Sequence, residues 1–428
     1  MRSALPIALA WGLALLGLAA GAGAEPAPAE RLIVTLAGDV GYPNQFARGD
    51  VIDRRKHQLF EQVRPILDGA HLSFANLECA FTHRPPSVPT MWPLSCPPHR
   101  LDYPVDAGLD VFSLANNHMM DAAAGGVLDT IAGLEARARP TRRLWWTGAG
   151  ATPEQARRPA IVRSEGADAA IAFFAVTNAH PAGGIASLFD STLPRRIARA
   201  ARQRDLVIVS VHYGTEHLHV PSADVTRRYR RLIDAGADVV VGHHPHVMQG
   251  VERRGEGVIL YSLGDLSFGS LSERHHKQGG RLYSLIARLT VAHRQLEQVE
   301  LIPTYHDNAL RWTLGAETLD PIHGTPQLLA GAFAQAVLDE LDRFSAAIGG
   351  AESTRLIRIG DRAFLDLGHP ITNRTALLEQ QRAEYRAVID AGAGPRPATP
   401  AEMAAPAPPA ELRSFPKPGS LRDLPPIH

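Results

Sequence analysis

Cysteine is scarce in this chain of 428 residues: only Cys79 and Cys96 are present. Two thiols exclude a disulfide framework and leave a single bridge or two free buried thiols as the open alternatives. An excess of charge of either sign is also lacking, with Lys+Arg and Asp+Glu at 44 each. Such a balance gives no reason to expect a nucleic-acid partner or a polyanion surface. A phosphate-cradling P-loop is missing too, because Thr147-Gly148-Ala149-Gly150-Ala151 is Gly-rich without the Lys-Ser/Thr that would complete one. No internal repeat is apparent.

At 45% hydrophobic residues, the chain has enough apolar side chain for a sizeable core. Arg2, the apolar run Leu5 to Ala20 and the A-x-A-like Ala22-Gly23-Ala24 read as a signal peptide over residues 1–24. The expected location is therefore secreted or periplasmic. No charge appears from Ser3 through Ala24, so an uncleaved N-terminal membrane anchor is the alternative. At the other end, residues 393–428 are rich in Pro and Ala and read as a poorly ordered tail.

Between these ends, short β-rich runs alternate with helical segments, the pattern of an α/β fold. Leu32 to Leu36 runs into Gly38-Asp39, and Ala70 to Ala75 runs into Asn76-Leu77-Glu78. Asp110 to Ala115 leads to Asn116-Asn117-His118, and Leu206 to Val211 leads to His212 and Glu216. Ala237 to Val241 opens into Gly242-His243-His244-Pro245-His246. Ligands in open α/β sheets collect at the carboxyl ends of strands, so five such endings form a pattern where one would be unremarkable. Helices are expected over about Gln58–Leu67, Val127–Ala138, Leu193–Arg204, Val225–Ala235, Gln327–Ile348 and Thr375–Ala391, with antiparallel strands across Arg281–Leu301. His275-His276 read as solvated surface.

Carboxylate, amide and imidazole together suit Zn, Mn or Fe, whereas Ca or Mg would favour oxygen ligands alone. The candidate metal ligands are Asp39, Glu78, Asn117, His212, His244 and His246, holding two divalent ions. A strand-like His-x-His turns both rings to one side, which favours His244 and His246, although His243 remains the alternative to His244. Asn117 and His118 would divide the catalytic work, amide oxygen to metal and imidazole to the substrate or leaving group. Glu216 would orient His212 or a neighbouring ring. His217 and His219 stand beside this motif as candidates for lining the cleft.

These stretches, with Asp121, Asp234-Ala-Gly-Ala-Asp238 and Tyr261-Ser-Leu-Gly264, occur in an order that resembles bacterial capsule-synthesis proteins of the CapA type, also called poly-γ-glutamate biosynthesis proteins. The resemblance spans about residues 32–302. It implies a metallophosphoesterase-like sandwich of two mixed β-sheets flanked by helices (α/β/β/α), with residues 25–31 as a spacer and 303–392 as a mainly helical extension packed on the domain. It implies an extracytoplasmic hydrolase acting on phosphoester-like bonds, with an anionic surface polymer or its precursor and a membrane capsule-synthase complex as partners. Three departures stand out. The Asp-x-His of standard metallophosphoesterases is here Asp39-Val40-Gly41, Glu78 stands where a second Asp is usual, and Gly264-Asp265 replaces Gly-Asn. A non-catalytic subunit that binds polymer or synthase is the rival reading, and amide hydrolysis by the same activated water remains open.

Overall fold

The β-rich runs form two stacked sheets whose facing sides share one apolar core. The computed structural model describes residues 31–391, apart from 44–48, 88–92, 141, 164–168, 179–183, 270–282, 293–294, 307–310, 321, 323, 349–353 and 372. The expected signal peptide, the Pro/Ala-rich tail and His275-His276 lie outside the described residues. Among the described residues, no helix is long and apolar enough to cross a membrane.

The larger sheet has ten strands. At its centre Leu32–Gly41 runs parallel to Leu72–Leu77, which is followed by Val111–Ser113 and Trp145–Thr147, also parallel. On the other side Leu32–Gly41 meets Tyr283–Ala292 antiparallel and the short Asp265–Phe268 parallel. The smaller sheet has six strands, with Ala170–Thr177, Leu206–His212, Val239–His243 and Gly257–Leu260 parallel at its heart.

Alternation along the strands sorts the side chains between layers. Leu32, Val34 and Leu36 join Phe173, Ile208, Val239 and Val241 between the sheets. Phe74 and Phe173 stack across that interface with ring centres 5.7 Å apart. Burying each such ring contributes on the order of 2–3 kcal/mol. The outer face of the larger sheet packs Val40 and Phe112 under helices that supply Ile66, Val105, Val127 and Leu134. The outer face of the smaller sheet packs Val207, Val209 and Val240 under Ile197, Tyr229 and Leu232. The architecture is the α/β/β/α sandwich read from the sequence.

Three local expectations differ. The helix expected over Gln58–Leu67 is instead a run of turns followed by a helix at Arg64–Asp68. Pro65 explains the break, since its ring would clash with the carbonyl one turn earlier in a continuous helix. Gln327–Leu328 is a strand paired with Thr304 and Tyr305, and the helix begins at Gly331, which has φ +58°. The segment after residue 302 is also woven into the larger sheet rather than only packed on it. Its hairpin of Leu356–Ile359 and Arg362–Leu365 extends that sheet through Glu300 and Leu301.

Candidate metal centre

The five strand endings meet at the carboxyl edge of the sandwich. Asp39 lies on Leu32–Gly41, Glu78 directly follows Leu72–Leu77, and Asn117 and His118 lie just beyond Val111–Ser113. His212 and His243 close the adjacent strands Leu206–His212 and Val239–His243 of the other sheet. Two glycines permit the close approach. A Cβ on Gly38 would run into the Gly264 carbonyl, to which the Asp39 amide donates at 3.0 Å. Gly242 lies likewise against the Tyr261 carbonyl.

Two groups of ligand atoms result, each with its atoms within 4.8 Å of one another. One is Glu78, His212 and His244; the other is Asp39, Glu78 and His246. Glu78 belongs to both. Its carboxylate is fully buried, and neither oxygen accepts a hydrogen bond from the described residues. Oε1 lies 3.3 Å from His246 Nε2 and 3.4 Å from His212 Nε2. Facing only imidazole nitrogens outside hydrogen-bond geometry, this buried carboxylate is poorly satisfied, a cost that a cation at the shared point would remove. Donors and burial therefore fit a divalent ion bound between them.

The remaining candidates surround this pair. Asn117 Oδ1 lies 2.7 Å from His212 Nε2, on the side that faces Glu78. Asp39 accepts from Asn76 Nδ2 at 2.8 Å and from the His244 amide at 3.2 Å, and its Oδ1 is 3.0 Å from His243 Nδ1. The His118 ring is held through Nδ1 by buried Asp121 at 2.7 Å, and Asp121 also accepts the Leu94 amide at 2.6 Å. Glu216 stands beside a neighbouring ring, that of His217. Its carboxylate lies 3.6 Å from His217 Nε2, and its charge acts on His244. His217 is buried with its ring 6.5 Å from that of His246, whereas His219 stacks on Phe344 at 4.8 Å.

The histidine tract reaches the site by a different route from simple alternation. The strand stops at His243, and both His244 (φ +93°) and His246 (φ +56°) adopt left-handed backbone. Such conformations cost on the order of 1–3 kcal/mol each and persist where surrounding contacts enforce them. A tight turn, not a strand, aims the two rings at Glu78.

Electrostatics sort the ligands. Burial drives the Glu78 carboxyl well above its ordinary range, against the opposing pull of His246. Burial also disfavours charge on His246, but Glu78 and Asp265 outweigh it and raise its pKa, so a cation held at Nε2 would take the place of a proton there. For Asp39, His243 followed by His212 and His246 outweighs burial and keeps the carboxyl ionised. Burial and His244 push His212 well down, and burial with His246 lowers His244 to about 4. His212 and His244 are thus neutral imidazoles near pH 7, the form that binds metal.

Asp265 escaped the sequence-based ligand set. It accepts from His246 Nδ1 at 2.8 Å, which leaves Nε2 turned toward Glu78. The signal was present, since Asp265 follows a β-rich run as Asp39 does. Asn76 was also overlooked as a participant; its amide bridges Asp39 and His212. The missing Asp-x-His position, Gly41, is covered by the Phe268 ring, and that ring also packs 5.2 Å from His246.

Cys79, next to Glu78, is joined to Cys96, and Cys96 Sγ accepts the Tyr42 amide at 3.2 Å. The bridge closes a short loop that ties the Glu78 corner to the stretch carrying Leu94. Cys79→Ser with Cys96→Ser lowers stability by roughly 3 kcal/mol, the entropy of a loop of this size. Urea titration with and without reductant checks this; an unchanged midpoint contradicts it.

The model of the family "Bacterial capsule synthesis protein PGA_cap" matches residues 33–270. The chain is 35% identical over 175 residues to the capsule biosynthesis protein CapA of Bacillus anthracis, covering 38% of this chain and 41% of that one. It is 30% identical over 171 residues to the PGA biosynthesis protein CapA of Bacillus subtilis, covering 38% and 43%. These matches span about four tenths of the length of each relative. A looser likeness joins it to the solved structure of TT1561 from Thermus thermophilus, at 7% identity and a TM-score of 0.33 over 61% of this chain and 99% of that one. The family match takes in more than half of the chain, including every candidate ligand, and the chain belongs to the bacterial capsule synthesis protein (PGA_cap) family.

Proposed function

We propose that the chain is an extracytoplasmic, divalent-metal-dependent hydrolase of phosphoester-like bonds that serves capsule or poly-γ-glutamate assembly. One observation carries this reading: Glu78, buried and with no hydrogen bond formed to either oxygen, is shared by two convergent ligand groups. Asp39, Glu78, Asn117, His212, His244 and His246 would hold two ions of Mn, Zn or Fe. Such ions supply Lewis acidity and lower the pKa of water toward neutrality.

The protein's own groups do the rest. Asp121 fixes His118 through Nδ1, so Nε2 is the atom available to donate a proton to the leaving oxygen. Asp265 holds His246 in the orientation that faces Glu78. The bridge between Cys79 and Cys96 supports an oxidising compartment, as does the apolar amino-terminal run.

His118→Ala lowers turnover of bis-p-nitrophenyl phosphate by about 10²–10⁴-fold, the usual worth of a general acid, while metal content stays near wild type. Parallel loss of metal and turnover makes His118 a ligand instead and overturns the assignment. The rival reading, a polymer- or synthase-binding subunit without catalysis, draws on Phe268 covering Gly41, which denies one ion the extra histidine of standard metallophosphoesterases. Metal binding without turnover of any phosphoester or γ-glutamyl amide favours that rival.

A further inference from the structure

We infer that the outer face of the smaller sheet carries a docking surface for a linear polycarboxylate, formed by Arg195, Arg199, Arg202 and Arg231. The inference rests on the reading that the chain serves an anionic polymer, and it places that polymer away from the metal centre. Neutrality of the whole chain conceals the feature and misdirects the expectation of no polyanion surface. Residues 193–204 hold five arginines and no acid, and the helix Ala223–Asp234 holds four arginines and two aspartates.

The two helices lie side by side. Gly236, just past the second, packs against Ala201 at the end of the first. Their apolar sides are committed to the core through Leu193, Ile197, Tyr229 and Leu232. The acids nearby are also committed: Asp190 pairs with Arg157 and Arg196, Asp224 with Arg227 and Arg228, Asp234 with Arg254, and Glu252 with Arg230. Arg195, Arg199, Arg202 and Arg231 are exposed and have no ion-pair partner among the described residues. Helix-end stabilisation does not account for them all. Arg195 stands in the first turn of Leu193–Ala201, where the helix dipole disfavours a cation.

Spacings of four and three residues set Arg195, Arg199 and Arg202 in one stripe roughly 10 Å long. A γ-linked glutamate chain keeps one free carboxylate per residue, and the guanidinium fork accepts carboxylates in bidentate fashion. A bilayer is the poorer fit. Among the described residues the exposed large hydrophobics nearest these helices, Phe189, Leu218 and Val220, precede them in the chain, and Phe189 lies under the Arg228 guanidinium, so the arginine stripe itself carries no apolar side chain to insert.

The test is a fluorescence-anisotropy titration of the full chain with labelled poly-γ-glutamate at several salt concentrations. The variant R195Q/R199Q/R202Q/R231Q should bind about tenfold or more weakly at low salt, with a salt slope smaller by about three. The corresponding four-lysine variant retains charge and should recover most of the binding. Equal binding by the glutamine variant overturns the proposal. So does tight wild-type binding to phosphatidylglycerol vesicles with none to the polymer, which makes the face a membrane contact. Turnover of bis-p-nitrophenyl phosphate is read in parallel and should be the same in all variants. A chain inert toward that ester but with arginine-dependent polymer binding supports this surface and overturns the hydrolase reading alone.

Discussion

Glu78→Gln removes metal from both positions of the centre and lowers phosphodiester turnover on the order of 10³-fold, the scale of several kcal/mol of lost charge stabilisation. Glutamine keeps the shape of the side chain but loses its charge, and Glu78 is the ligand common to both groups. A second readout moves in the opposite direction. Without metal the wild type buries an unsatisfied carboxyl, so the glutamine variant should melt at the same or a higher temperature. Metal at a hundredfold excess over its dissociation constant adds about 2.7 kcal/mol to a protein that binds it only when folded, and the variant should lose that gain. Differential scanning fluorimetry with and without Mn or Zn reads both effects. A Glu78→Gln protein that still gains stability from metal contradicts the shared-ligand assignment.

Arg362→Ala destabilises the fold by about 3–5 kcal/mol, the cost of stranding buried carboxylates. Arg362 reaches Glu300 at 2.8 Å and Glu384 at 2.5 Å, and Arg288 reaches the same two at 3.1 and 2.8 Å. All four side chains are buried, and they join the helix Arg374–Asp390 to the larger sheet. Removing Arg362 leaves Glu300 with Arg288 alone and Glu384 with Arg288 and Gln380. Burial opposes charge on Glu384, but Arg362 and Arg288 outweigh it and hold the carboxyl below its ordinary value. With a depressed folded-state pKa, this contribution is complete above the ordinary carboxylate range and is lost as pH falls through the folded value. Urea unfolding of wild type and Arg362→Ala at pH 7 and at pH 4 measures both. A difference under about 1 kcal/mol at pH 7 means that the network is dispensable.

Strand endings were legible in the sequence because β-rich runs and the polar residues that close them are local features. Asp39, Glu78, Asn117, His118 and His212 all lie at the sheet edge where those endings placed them. The route taken by His244 and His246 was not legible. Their left-handed backbone belongs to a turn in which the His244 amide donates to Asp39 and the Pro245 carbonyl accepts from the His217 amide, contacts that no periodicity encodes. Asp265 looked like a family departure until its contact with His246 appeared, a pairing across nineteen residues. The Arg288–Glu384 contact spans 96 residues and sits on strands and a helix that read as ordinary charged sequence. Whole-chain charge was equally blind to the arginine face, since a sum says nothing about where charges lie.

The central claim is that a divalent metal centre is built on Glu78. It is tested most directly by metal analysis of the purified full chain, followed by turnover of bis-p-nitrophenyl phosphate after stripping and reloading with Mn, Zn or Fe. The account predicts about two bound ions per chain, turnover that disappears on chelation and returns on reloading, and loss of both in Glu78→Gln. A chain that binds none of these metals and stays inert with all of them contradicts it.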